Sequence, residues 1–396
     1  MNDNRPPQPL LFTPIALRSL TARNRIVVSP MAQYASEGGG PTDWHLVHLG
    51  KFAMGGAGIV FCEETAVEER ARKTYQCAGI YRDEHVPMYR RINAFVKSQG
   101  AIPAIQLGHS GRKAACRGPW ENFAPLTAED AARGEAPWPA VSPSPIPPSP
   151  NAPVPHELTT SEIRALIEVW RVAALRALDA GFEICEVHGA HGYLLHQFLS
   201  PMVNRRGDGY GGSLDGRMRF VLEVIEAVRD VWPKDRPLFF RVSSVDGDTG
   251  HWTMDDTVAL AREAAARGVD VVATSSGGIG GPMTMSVVPR SAGYHVPYAE
   301  RVRAEAGVMT LAVGLITEAG HAESILQRGQ ADLIGLAREF LYNPNWPVHA
   351  ARELGVPDYL DLLPHGYAWW LRRREEILRV SREAAATATV GINGKT

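Results

Sequence analysis

Short runs of branched and apolar residues recur along the chain. Each is followed by a longer stretch in which apolar positions return with a period near 3.6. The runs fall at residues 25–30, 58–62, 102–107, 182–187, 238–242, 269–274, 309–313 and 332–336. Their length and branched content predict buried strands. The stretches between them predict amphipathic helices, among them 160–179, 214–231, 254–267 and 317–328, the first introduced by Thr160, Ser161, Glu162 and Ile163 as a cap signal. Eight strands, each followed by a helix, specify the α/β class and a (β/α)8 TIM barrel. A doubly wound sheet would need a glycine-rich turn after its first strand; Ser29, Pro30, Met31 and Ala32 stand there instead.

One segment breaks the alternation. Residues 134–155 are rich in proline and serine and interrupt the third βα unit. As an interdomain linker they would leave two incomplete sheets, so they are expected to form an excursion at the C-terminal face that helps roof the site. The expected organisation is a single barrel domain over 1–370, then a helix end and flexible tail over 371–396, fraying from Arg382.

Composition narrows the function. A chain of 396 residues with 45% hydrophobic and 21% charged residues buries a large core. With 41 basic against 43 acidic side chains and no basic tract, it is poorly suited to nucleic acid or anionic lipid, and a small neutral partner is expected. The first residues carry no basic and apolar leader pattern and no apolar stretch has membrane-spanning length, which predicts a cytoplasmic protein. Cys62, Cys77, Cys116 and Cys185 form no C-x-x-C pair and are expected to be buried, reduced thiols.

The chemistry gathers where strands end. His188, His191 and Tyr193 leave the fourth strand together, at the end where barrels place catalytic groups. They could converge on one small polar atom; the same spacing also suits metal ligands, or histidines that satisfy nearby backbone. Other strand ends supply Gln106 with His109 and Arg112, Arg241 with Ser243, and a Ser/Gly run over 275–281. The last two supply Gly314, Ala337 and Arg338, where main-chain N–H groups and a guanidinium suit a phosphate. A metal-dependent barrel hydrolase using His188 and His191 would need further His or carboxylate ligands, and these ends offer Arg, Gln, Ser and Gly. A Schiff-base aldolase would need a lysine at a strand end, whereas Lys73 and Lys113 lie in loops. His196 is expected to serve packing, and Asp208, Arg217 and Arg219 to form an ion-pair lattice.

Taken in order, these motifs resemble the Old Yellow Enzyme ene-reductases. They are Ser29-Pro-Met, the run from Ile105 through His109 to Arg112, His188-x-x-His-Gly-Tyr-Leu, the run from Asn204 to Ser213, and Arg217-x-Arg-Phe220. The likeness covers about Pro14 to Phe340 and is greatest to the xenobiotic-reductase and thermophilic-like bacterial branch. It implies FMN as cofactor and NAD(P)H as reductant. Hydride would pass in ping-pong fashion from reduced FMN N5 to the β-carbon of an α,β-unsaturated carbonyl or related activated alkene. Nitro compounds or nitrate esters are the alternative acceptors, and a non-catalytic flavin store would leave Tyr193 and both histidines without a task.

By the same resemblance Ser29, Pro30, Met31, Ala32, Gln106 and Arg241 border the flavin ring, and Gly314, Ala337 and Arg338 hold its phosphate. His188 and His191 grip the substrate carbonyl, Tyr193 protonates the α-carbon, and Tyr34 contacts substrate. Glu64 also falls at the flavin, where a small residue is common. Relatives carry Cys or Thr at Ala32, and often glycine at Ala337. They form homodimers or higher oligomers in which C-terminal residues complete a neighbour's site, which singles out Trp369, Trp370 and Arg372; plain dimer packing is the other reading for these three.

Overall fold

Eight parallel strands close into a barrel in the computed structural model, which describes residues 8–247, 251–280 and 290–393. They are β1 (Ile26–Val28), β2 (Ile59–Ala66), β3 (Ile102–Gly108), β4 (Ile184–Gly189), β5 (Leu238–Ser243), β6 (Val271–Ser275), β7 (Met309–Ala312) and β8 (Leu333–Leu336). Each pairs with the next, and β8 returns to β1 with Ile334 opposite Ile26. The helices between them are α1 (Asp43–Met54), α2 (Val86–Ser98), α3 (Thr160–Asp179), α4 (Leu214–Val231), α5 (Met254–Ala266), α6 (Val296–Ala306), α7 (Ala319–Gln327) and α8 (Trp346–Glu353). All eight predicted strands are present, so the (β/α)8 architecture stands. Residues 1–7, Gly281 and 394–396, parts of the predicted tails and Ser/Gly run, lie outside the described residues.

The period of two along each strand sorts the side chains. Val27, Phe61, Ala104, Ile184, Phe239 and Leu311 meet inside the barrel, whereas Cys185, Val187, Phe240 and Val272 pack outward against the helices. An antiparallel pair, Ile15–Leu17 with Leu20–Ala22, joins the inner cluster from the end where the strands begin. One step further along β3, β4 and β5, the inward positions turn polar. Ile184 is followed by Glu186 and His188, Phe239 by Arg241 and Ser243, and Ala104 by Gln106. The parallel register sets Gln106 beside Glu186 and His188 beside Arg241.

Local details follow from capping and pairing. The cap of α3 lies one residue earlier than its sequence signal: the Thr159 hydroxyl accepts from the Glu162 N–H, and the Glu162 carboxylate accepts from the Thr159 N–H at 2.7 Å. A final helix, α9 (His365–Asn393), continues where fraying is expected from Arg382. Its charges pair along one face, Arg379 with Glu376 and Glu383. Residues 134–155 lie between β3 and α3 and are tied to the C-terminal face by Arg112, which donates to the carbonyls of Ile146 and Pro147 at 3.2 and 3.3 Å. Among the described residues, no helix is long and apolar enough to cross a membrane.

Candidate active site

A cavity of about 560 Å³ opens at the C-terminal mouth of the barrel. Of the residues singled out in the sequence, Ser29, Pro30, His191, Arg241, Gly314, Ala337 and Arg338 line it. Met31, Ala32, Tyr34, Glu64, Gln106, His188 and Tyr193 do not. Several of these lie directly behind or beside the lining residues.

The turn after β4 is held in an uncommon shape. His191 has φ of +59°, in the left-handed region, and its N–H donates to the Ser243 hydroxyl at 2.9 Å. His188 Nε2 lies 3.3 Å from His191 Nδ1, and His191 Nε2 lies 2.8 Å from the Ser275 hydroxyl. Burial, and then the charge of Arg241, hold both imidazoles well below their ordinary pKa. Both are therefore neutral near pH 7, and each carries one N–H. Tyr193 stands edge-on to His188 with ring centres 5.3 Å apart, and burial holds its phenol well above the usual value.

His196 does more than pack. Its Nδ1 accepts from the Gly192 N–H at 2.8 Å, and its Nε2 lies 2.8 Å from an Asp246 carboxylate that also accepts from Ser200. All four groups are buried, so this chain fixes the glycine between His191 and Tyr193. A histidine on an apolar helical face gave no sign of a partner 50 residues away. The predicted lattice of Asp208, Arg217 and Arg219 is also corrected. Asp208 pairs with Arg206, while Arg217 and Arg219 donate to the main-chain carbonyls of Leu199 and Gly209. His109 bonds Glu68 at 2.9 Å, and Arg112 donates to the Ile279 carbonyl at 2.6 Å.

Glu186 is a buried acidic residue beside the site that the sequence motifs do not single out. It is buried between Gln106, which donates to it at 2.7 Å, and Arg241. Burial pushes its pKa up to about 7, against the pull of Arg241 and Gln106. The signal was available: a carboxylate at an inward position of an otherwise apolar strand. Glu64 also departs from the ordinary carboxylate, pushed up to about 8 by burial and by Glu63, with Oε1 buried and without a hydrogen bond. Its side chain lies over Gly108, where a β-carbon would come within 2.0 Å of Oε1. Tyr34, half-buried with φ of +54°, packs against Trp120 and Phe123. Lys113, set in a loop in the sequence, is buried with its pKa lowered to about 7, and donates to the carbonyls of His191 and Gly278. Trp369 and Trp370 are exposed on α9, away from this cavity.

These shifts set an acid sensitivity. His48 and His295, held down to about 3, join His188 and His191 as imidazoles that take up protons only on unfolding below about pH 6.5. Glu64 and Glu186, protonated in the fold, release theirs on unfolding in the same range. His85, also drawn down by burial, adds a fifth imidazole, and five against two leaves a net uptake of protons, so stability of the flavin-free protein falls as pH falls from 6 to 4.5. Thermal melts across that range are expected to show a steady drop, and a constant melting temperature would contradict the assignment.

Arg241 and Arg338 line the cavity at the mouth of a parallel barrel, a setting that suits an enzyme with a phosphate-bearing cofactor. Residues 10–356 match the model of the NADH:flavin oxidoreductase / NADH oxidase family. The chain belongs to that family, as its Old Yellow Enzyme resemblance indicated, and is an FMN-dependent oxidoreductase using a reduced nicotinamide. An NADPH dehydrogenase of a Geobacillus species is 43% identical over 349 residues, covering 88% of this chain and 95% of that one. The NADPH dehydrogenase of Bacillus licheniformis is 41% identical over 348 residues, covering 87% and 95%. Morphinone reductase in complex with tetrahydroNAD is similar in structure, with a TM-score of 0.71 and 26% identity over 92% of this chain and 97% of that one. A 2-naphthoyl-CoA reductase has a TM-score of 0.77 at 23% identity; this chain spans 88% of its own length and 53% of that longer protein, a likeness of fold.

Proposed function

We propose that the protein reduces the C=C bond of α,β-unsaturated carbonyls and related activated alkenes. FMN, when bound and reduced by NAD(P)H, would supply the hydride. The observation that carries this reading is the single turn that sets two neutral imidazoles and a protonated phenol beside the Arg241 cavity.

The residues present fit FMN. Ser29 Oγ and Arg241 Nε are buried without hydrogen bonds, and a β-carbon at Gly335 would come 2.8 Å from that Ser29 oxygen. Arg338 has no hydrogen-bond or ion-pair partner among the described residues, and Gly314 takes φ of +112°, which exposes main chain to the cavity. Ser29, Pro30, Met31, Ala32, Glu64, Gln106 and Arg241 would border the ring, and Gly314, Ala337 and Arg338 would hold the phosphate. Glu186 would keep Gln106 and Arg241 in place.

His188 and His191 would each direct an N–H at the substrate carbonyl oxygen, stabilising negative charge as it develops there. Tyr193, protonated at neutral pH, would deliver a proton to the α-carbon. Tyr34 would contact the substrate.

Ala32 offers no side-chain donor where relatives carry Cys or Thr. The wild-type flavin is expected to have a lower midpoint potential than the Ala32→Cys variant, by roughly 20 mV for a two-electron couple if one hydrogen bond of about 1 kcal/mol is at stake. Redox titration of both proteins checks this, and an equal or higher wild-type potential contradicts it.

The function itself is tested by colour. Purified protein should show flavin absorbance, bleached anaerobically by NADPH and restored by cyclohexenone. Restoration by nitro compounds or nitrate esters but not by enones would reassign the acceptor, and failure of both would overturn the reading.

A further inference from the structure

A second cavity, of about 230 Å³, lies beneath the Pro-rich excursion. Leu126, Pro137, Pro148 and Pro153 contribute apolar wall, Lys73, Arg112 and Lys113 bring three cations, and no carboxylate among the described residues lines it. Two of those side chains are already engaged by main-chain carbonyls, although Arg112 Nε is buried without a partner. Arg112 donates to the carbonyls of Ile146, Pro147 and Ile279, and Lys113 to those of His191 and Gly278.

Lys73 is different. It is only 9% exposed, its ammonium lies 3.2 Å from the centre of the Phe123 ring, and it has neither a hydrogen-bond acceptor nor an ion-pair partner among the described residues. Glu64, whose charge would favour the ammonium, is held protonated at neutral pH by its own burial, and burial draws the Lys73 pKa down. A buried cation facing an apolar cavity without a counter-charge is a poor structural element and a good anchor for an anion.

The cavity adjoins the reacting groups. Phe123, beneath the Lys73 ammonium, is 6.0 Å from Tyr34, and the Lys113 ammonium stands 6.0 Å above the Tyr193 ring. We propose that this cavity is a distal substrate subsite that takes an apolar body ending in a carboxylate, with the carboxylate paired to Lys73. The proposal rests on the alkene-reduction reading. The proline-walled interior favours an apolar acid over a strongly hydrated phosphate.

The test uses oxidised holoenzyme without NADPH and two probes, benzylidene acetone bearing a para-carboxylate and its methyl ester. Calorimetry is expected to show the acid binding at least about tenfold tighter than the ester. Lys73→Met should remove that advantage while leaving ester binding and flavin absorbance unchanged, and Lys73→Arg should keep most of it. Equal binding of the two probes, or equal loss of both in Lys73→Met, overturns the subsite. A variant that weakens NADPH binding instead of acid binding also overturns it. Turnover of the ester with NADPH tests the parent reading separately. Reduction of the ester with no advantage for the acid rejects the subsite alone, and tight Lys73-dependent acid binding without reduction of either probe rejects the reaction alone.

Discussion

Tyr193→Phe is expected to lower the rate of enone reduction by about 10²–10⁴ while leaving reduction of the flavin by NADPH unchanged. The phenol is protonated, uncharged and without a hydrogen bond among the described residues, whereas the imidazole N–H groups are assigned to the carbonyl oxygen and the Lys113 side chain is taken up by two carbonyls. Phenylalanine keeps the ring that packs edge-on to His188, so the loss should appear in rate and little in stability. Anaerobic stopped flow separates the two half-reactions. Undiminished oxidation by cyclohexenone would remove Tyr193 from the chemistry. Because burial raises the phenol's pKa, the wild-type oxidative rate should not decline from phenol ionisation between pH 7 and 9.

His191→Ala comes second, with an expected loss of about 10²–10³ in kcat/KM for cyclohexenone, the usual effect of removing one donor to a developing oxyanion. The main-chain bond from residue 191 to Ser243 survives the change, so the turn should persist. Its left-handed conformation is better tolerated by asparagine than by alanine, and Asn also carries a donor. His191→Asn is therefore expected to recover part of the activity. Steady-state kinetics with all three proteins decides the matter, and an unaltered kcat/KM in the alanine variant would assign His191 to the fold alone.

The barrel was legible because its strands are buried on both faces and leave continuous apolar runs, bounded by helices with clear caps. The end of β4 was legible for the same reason: His188, His191 and Tyr193 follow one such run directly. What escaped depended on contacts across the fold. Glu186 gains its meaning from Gln106 on one neighbouring strand and Arg241 on the other. His196 acquires Asp246, and Arg217 and Arg219 choose main-chain carbonyls over the carboxylate that sequence proximity offered. Lys73 and Lys113 were set aside as loop residues, yet both loops fold inward. No spacing rule encodes such closure.

Along β4 and β5 the change from packing to chemistry occurs within a single pleat, from Ile184 to Glu186 and from Phe239 to Arg241. A substitution below that boundary alters volume in a closed interior and is felt by the whole ring of strands. One above it alters a charge or a donor at the rim, where solvent or a ligand can adjust. The molecule thus separates the mutations that endanger it from those that diversify it, and new acceptors would be reached by exchanging rim residues while the frame beneath stays as it is.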